Sequence, residues 1–332
     1  MQVTKKKGEP IRRILIEMGI LDASLKISSD DDFLYLPILR HPDVQELSEV
    51  KKISKDIIVD DYDFELMEKP PTFEDLLGYA PHYEMVGDIA IIDLDDESES
   101  RRIADTILKV HPNIKTVLGT IAPVGGEYRV RNVRVIAGEN RTETIHKEHG
   151  CRYAVDLAEV YFTPRLSTER ERVLSQISSG DLVVDMFAGI GPYSILIAKK
   201  TEAKKVIAID KNPSAIRFLR RNIELNSVNN VVAIEGDADT ESLQFIGTAD
   251  HVIMNLPHSA EKFLDAAVKI TKFGGIIHYY DINPEDDLFE TSLEFIENAA
   301  KRYGRAIEVF DKRVVRSYAP HEFNICIEVK VN

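Results

Sequence analysis

Four acidic or amide side chains stand where a ligand would be held rather than where a core would be filled. Asp185 opens Asp185-Met-Phe-Ala-Gly189-Ile-Gly191, two glycines ahead of an apolar helical run. Glycine lets the backbone turn sharply and approach a ligand closely, and the helix start behind it favours negative charge. Asp210 closes Lys205-Val-Ile-Ala-Ile-Asp210, Asp237 follows Val231-Val-Ala-Ile-Glu-Gly236, and Asn255 opens Asn255-Leu-Pro257 after His251-Val-Ile-Met254. The Gly-Lys-Ser or Gly-Lys-Thr of a phosphate-binding loop is absent, and an acid directly ahead of the glycines repels a pyrophosphate. Position 194, where a dinucleotide fingerprint wants a third small residue, holds Ser194, a poor substitute. The expected ligand is cationic or zwitterionic near the loop. Asp210 is placed to accept from both hydroxyls of a ribose, and Asp237 from an adenine amino group. Helix capping would explain one such acid readily and four in register poorly.

These positions require a particular scaffold. Leu182–Met186, Lys205–Asp210, Val231–Glu235, His251–Met254 and Gly275–Tyr279 are short β-branched runs separated by helical stretches. That alternation predicts an α/β fold with a doubly wound parallel sheet, whose carboxyl strand ends line one crevice. Asn212-Pro213 marks a helix start, with the helix running to about Asn226. Ala306–Phe310 and Phe323–Val331, joined by a short loop, are expected to pair as an antiparallel edge. Nearer the start, Ile11, Ile14, Leu15 and Met18 form one apolar stripe on a helix over Pro10–Met18, and Phe33–Ile38 reads as a strand. A small α/β domain over 1–58 is thereby expected, then an acidic, Pro70-Pro71-containing linker over 59–82. A strand over Met85–Asp93, a helix near Glu99–Lys109 and a strand over Lys115–Gly119 begin a middle α/β domain over 83–165. The last domain spans 166–332.

Hydrophobic residues make up 44% of the 332-residue chain and charged residues 30%, ordinary for a folded, water-soluble protein. Neither a membrane-length apolar run nor a signal-like start is seen, so a cytoplasmic location is expected. Cys151 and Cys326 cannot build a disulfide framework. His146, His149 and Cys151 lie close in sequence, but in a basic loop without a further ligand, so no metal is expected. A net charge of −14 argues against nucleic acid, yet residues 129–172 hold nine bases against seven acids. Eight of those bases are arginines: Arg129, Arg131, Arg134, Arg141, Arg152, Arg165, Arg170 and Arg172. Such a window either reads an anionic partner or is a salt-bridged face.

Together, Asp185–Gly191, Ala137–Gly150, Val160-Tyr-Phe-Thr-Pro-Arg165, Met254-Asn-Leu-Pro257 and Arg316-Ser-Tyr-Ala-Pro320 resemble the archaeal and eukaryotic tRNA (guanine-37-N1)-methyltransferases. These belong to the class I S-adenosylmethionine-dependent methyltransferases. The resemblance covers nearly the whole chain. It implies a Rossmann-like methyltransferase domain, a mostly parallel sheet with an antiparallel edge, plus a small N-terminal α/β domain and a middle RNA-binding extension. It implies S-adenosyl-L-methionine as cofactor, held by Tyr161, Arg165, Asp185, Phe187, Gly189, Gly191, Asp210, Asp237 and Asn255. The partner implied is a tRNA with guanine at position 37, bound by a monomer. Guanine N1 carries a proton, so methylation there needs a general base and a donor for charge building on O6. By the resemblance Glu169 is that base and Arg129 that donor, while Asn255 and Pro257 position the guanine. Arg129–Arg172 and Lys312–Arg316 are the expected phosphate tracks.

Each role has a competitor. Glu169 lies in Glu-Arg-Glu-Arg172, which alone reads as a charged helix face, and Arg129 suits a phosphate equally well. Related wyosine-pathway transferases, which act at the same tRNA position, and a non-catalytic RNA-binding module are the alternatives in function. Asn255-Leu-Pro257 differs from the Asn-Pro-Pro-aromatic loop of exocyclic-amine methyltransferases and favours a ring nitrogen.

Overall fold

The computed structural model describes residues 1–67, 70–94, 96–125 and 128–332. Glu68 and Lys69 of the expected linker, and Glu127 beside Arg129, lie outside the described residues. Packing divides the chain into two units, Met1–Pro71 and Thr72–Asn332.

In the first unit the helix Gly8–Glu17 buries Ile11 and Leu15 against Val3, Leu36 and Val50. Gln2–Thr4, Phe33–Tyr35 and Ser28–Ser29 form a three-stranded antiparallel sheet. The strand expected over Phe33–Ile38 stops at Tyr35, just ahead of Pro37, which has no N–H to give a ladder. A second helix, Val44–Ile53, went unread in the sequence. A capping box fixes its start: Asp43 accepts from the Gln45 and Glu46 N–H groups, and Glu46 accepts back from the Asp43 N–H.

The second unit is built on a seven-stranded sheet. From edge to edge its order is Val231–Glu235, Lys205–Asp210, Leu182–Asp185, Ala249–Met254, Thr271–Pro284, Glu322–Val331 and Ile307–Ala319. The first five strands are parallel, and the last two join antiparallel. This is the Rossmann-like sheet with an antiparallel edge. Alternate residues of its central strands feed a core on each face, Val183, Val206 and Ala208 on one and Val184, Ile207 and Ile209 on the other. Such double burial is why these runs are uniformly apolar. The helix Pro213–Asn226 follows the Asn212 cap as its sequence predicts. At the edge the outcome differs from expectation: Lys312–Arg316 is not loop but part of the strand Ile307–Ala319, which accommodates its charges with register shifts at Val309/Asp311, Val314/Arg316 and Ser317/Ala319.

Glu84–Val86, Ile89–Asp93, Thr116–Gly125 and Val130–Gly138 make a four-stranded sheet, backed by the helix Glu97–Val110. The run expected as one strand over Met85–Asp93 is two, turned at Gly87 with φ 59°. There a Cβ would strike Thr144. The stretch expected as a basic loop is a hairpin, Glu143–Glu148 with Cys151–Asp156. His146 Nδ1 accepts from the Gly87 N–H, while His149 faces Ser167. Residues 83–165 and 166–332, expected as separate domains, share one core containing Ile89, Tyr153, Val183 and Leu196. Among the described residues no helix is long and apolar enough to cross a membrane.

Candidate active site

Strand order reverses on either side of Leu182–Asp185, which opens a crevice at the carboxyl ends of the strands. Asp185 is fully buried there. Ser194 donates to its Oδ2 at 2.7 Å, and its Oδ1 has no partner among the described residues. Burial raises this carboxyl to about 7, against the pull of the Ser194 hydrogen bond. An unpaired buried oxygen costs on the order of 1–3 kcal/mol, which a ligand's donor would recover. Ser194 is therefore the fixed donor to Asp185, a role that its poor fit to a dinucleotide fingerprint did not reveal.

Asp210 accepts from the Gly189 N–H at 2.7 Å and the Asn212 N–H at 2.8 Å. Burial raises its carboxyl, while the Asn212 and Gly189 N–H groups pull it down. The expected ribose acceptor thus also braces the glycine loop. Gly189 has φ 54°, and a Cβ there would lie 3.9 Å from the Tyr161 carbonyl, so the main chain of Tyr161 passes beside the loop. Gly191, at φ 87°, has a second constraint, since a Cβ would collide with Leu219. Phe187 packs edge-on against Phe263, with ring centroids 4.9 Å apart. Asp237 caps the helix Ala238–Glu241, accepting from Asp239, and its other oxygen lies 3.5 Å from Lys211 Nζ. Asp237 is thus a helix cap, with acceptor capacity left over on its carboxylate.

Asn255 and Pro257 leave the neighbouring strand in a loop whose end is clamped. His258 has φ 69°, uncommon outside glycine, and its N–H donates to Asp281 Oδ1 at 3.0 Å. Tyr279 donates to Asp281 Oδ2 at 2.9 Å, and the Tyr318 ring meets the His258 ring edge-on at 5.6 Å. Asp281 went unread in the sequence. The signal that picked out Asp210, an acid just beyond an apolar strand run, was present at Tyr279-Tyr-Asp281 as well.

Glu169 is buried, 6% exposed, on the helix Ser167–Leu174. Its Oε1 accepts from Tyr280 at 2.7 Å and from Arg172 Nη2 at 2.6 Å and Nε at 3.1 Å, whereas among the described residues Oε2 accepts from Arg172 Nε alone, at 3.0 Å. Met254, the last residue before Asn255, pairs with Tyr279 in the parallel ladder, and Tyr280 follows Tyr279 on that strand. Glu169 is therefore held at the crevice end of the sheet, not on a solvated helix face.

Arg129 sits at the turn before Val130–Gly138 with φ 52°. Burial raises the Tyr161 hydroxyl, while the charges of Arg131, Arg316 and Arg129 oppose that shift. Glu84 accepts from Arg131 at 2.7 Å and from Thr163 at 2.9 Å, with Arg165 3.9 Å away.

Residues 144–310 match the TRM5/TYW2 methyltransferase domain, residues 1–46 the tRNA methyltransferase 5 N-terminal domain, and residues 66–142 the TYW2 N-terminal domain. The chain belongs to the TRM5/TYW2 methyltransferase family. It is 43% identical to the tRNA (guanine(37)-N(1))-methyltransferase Trm5b of Pyrococcus abyssi, covering 100% of this chain and 98% of that one. The crystal structure of Pyrococcus abyssi Trm5b superposes with a TM-score of 0.71 over 100% of this chain and 98% of that one. A complex of aTrm5 with tRNALeu superposes at 0.72, with 38% identity over 100% of this chain and 99% of that one. The tRNA(Phe) (4-demethylwyosine(37)-C(7)) aminocarboxypropyltransferase of Methanocaldococcus jannaschii is 34% identical over 75% of this chain and 97% of its own length.

For a TRM5/TYW2 family member the arginine window is more internal than its composition suggests. Arg131 pairs with Glu84, Arg134 with Glu97, Arg141 with Asp88, Arg165 with Glu84, Arg170 with Glu148 and Arg172 with Glu169. Most of the window is thus spent on structure, with Arg170 itself only 2% exposed. Arg313 likewise pairs with Asp311, and Lys312 Nζ lies 3.7 Å from Glu290. Much of each expected phosphate track is already neutralised.

Proposed function

We propose that this chain transfers the methyl group of S-adenosyl-L-methionine to N1 of guanine 37 of tRNA, acting as a monomer in the cytoplasm. The observation that carries the reading is Glu169: a buried carboxylate bonded to Tyr280, whose strand neighbour Tyr279 pairs with Met254, the residue before Asn255. The crevice suits the cofactor, since the unpaired Asp185 Oδ1 invites a donor and Asp210 retains acceptor sites beside the glycine loop. Phe187, Gly189, Gly191, Asp237, Tyr161 and Arg165 complete that assignment. When bound, S-adenosylmethionine supplies a methyl carbon made electrophilic by its sulfonium.

The remaining chemistry falls to the chain itself. Glu169 Oε2, the less engaged oxygen, takes the N1 proton as the new N–CH3 bond forms and the S–CH3 bond breaks. Arg129 donates to O6, where negative charge builds, and the loop of Asn255 and Pro257 holds the base edge-on to the methyl carbon. Extruding a stacked guanine costs about a few kcal/mol, which contacts to the tRNA backbone must offset.

The test is incubation with labelled methyl donor and unmodified tRNA transcripts carrying guanine or adenine at position 37, followed by mass analysis of the modified nucleoside. Methylguanosine from the guanine transcript alone is expected. Label in both transcripts removes the base chemistry assigned to Glu169. A guanine transcript left unlabelled would overturn the reading.

A further inference from the structure

The carboxylate assigned as base is one end of a buried chain of charges that the methyl-transfer chemistry leaves unused. Arg172 reaches Glu169 through Nε and Nη2, and its Nη1 lies 2.6 Å from Glu328 Oε1. Glu328 is 1% exposed. His278 Nδ1 lies 2.6 Å from the same Oε1, and Gln176 Nε2 donates to both Glu328 oxygens at 3.0 Å. Beyond His278, whose Nε2 is 3.0 Å from His251 Nδ1, the chain ends at Asp181, 3.4 Å from His251 Nε2. Two buried carboxylates therefore share one guanidinium.

Such sharing has a direct chemical consequence. A carboxylate facing a cation alone loses basicity, whereas a second anion on that cation restores part of it. Around Glu169 the other titratable or charged groups are Tyr280 and His278 on one strand, Cys326 and Glu328 on the next, Tyr193 on the following helix and Arg170 on its own. Burial pushes the Tyr280, Tyr193 and Cys326 protons up, so these three stay neutral. Arg170 is engaged by Glu148. Arg172 and Glu328 remain as the charged pair nearest Glu169, with His278 behind them on Glu328. Burial alone would raise Glu328, but the His278 hydrogen bond and charge and the Arg172 charge hold it down at about 2, so it is an anion at every working pH.

We infer that Glu328 is a positioning residue that keeps Glu169 basic by drawing off part of the Arg172 charge. The inference rests on the proposed role of Glu169. It is tested by single-turnover methyl transfer to the guanine-37 transcript between about pH 5 and 9, using the full chain. In Glu328→Gln the size of the side chain persists and its one oxygen can still accept from Arg172 and His278, but Arg172 then faces Glu169 as the only anion. The acid limb should move down by about one pH unit and the plateau should fall by about three- to tenfold, with cofactor affinity unchanged. Arg172→Gln should move the acid limb the opposite way. Opposed shifts are not what a general loss of stability produces. An acid limb at the wild-type position in either variant overturns the inference. If wild type shows no transfer, or Glu169→Gln keeps the wild-type rate, the base assignment fails instead.

Discussion

Asp185 shows how a single residue trades stability for a site. Its folded carboxyl is raised to about 7 from an ordinary 3.8. Between these values the folded state binds more protons than the unfolded state, so stability falls as pH rises from about 4 through 7. Asp185→Asn removes that dependence. Its melting temperature at pH 8 should exceed wild type by a few degrees, while cofactor binding, followed by calorimetry, should be largely lost; a variant less stable at pH 8 than wild type would contradict the burial argument. Asp281 makes the complementary case. Asp281→Ala releases the His258 N–H and the Tyr279 hydroxyl. The methyl-transfer rate should fall by about tenfold or more, with cofactor affinity within about twofold of wild type, because the strained loop and not the cofactor crevice loses its clamp.

At the scale of elements, legibility followed burial. The parallel strands were readable because double burial leaves an apolar run with few alternatives, and the Pro213–Asn226 helix because Asn212-Pro213 is a local signal. The hairpin Glu143–Glu148 with Cys151–Asp156 was not readable, since its first strand buries the polar Thr144 and Glu148 and exposes Ile145, against the usual alternation, and its inner face is completed by distant side chains. Asn222 is the clearest of these. It accepts from the Ala154 N–H at 2.7 Å and donates to the carbonyls of Ala154 at 3.1 Å and Ile190 at 3.0 Å. One buried amide thereby fastens the hairpin to the glycine loop, a long-range tie that no spacing in the sequence announces. Asn222→Ala strands all three partners. Chemical denaturation should report a loss of about 2–4 kcal/mol, and cofactor affinity should weaken with it; a change under about 0.5 kcal/mol would mean that the tie is redundant.

For the whole molecule, an acidic protein proposed to bind tRNA has to ration its cations. The composition of residues 129–172 left open an anion-reading site or a salt-bridged face, and composition cannot say which arginines are consumed by Glu84, Asp88, Glu148 and Glu169 inside the fold. Arg152, for which no acidic partner is found among the described residues, should behave differently from Arg141, which Asp88 and Glu139 engage. In a filter-binding salt titration, Arg152→Gln should reduce the slope of log affinity against log salt by about one, and Arg141→Gln should leave it unchanged. Equal slopes for both variants would show that ion pairing within the protein does not decide which arginines meet phosphate.

The central claim, that the buried carboxylate on the helix Ser167–Leu174 removes the guanine N1 proton, is tested most directly by Glu169→Gln under single turnover, with cofactor affinity measured on the same preparation. Glutamine preserves the size of the side chain and can still accept from Arg172 and Tyr280, but it cannot take a proton. The chemical step should slow by about a hundredfold or more, with cofactor affinity within about twofold of wild type. A variant that methylates guanine 37 at the wild-type rate would contradict the account.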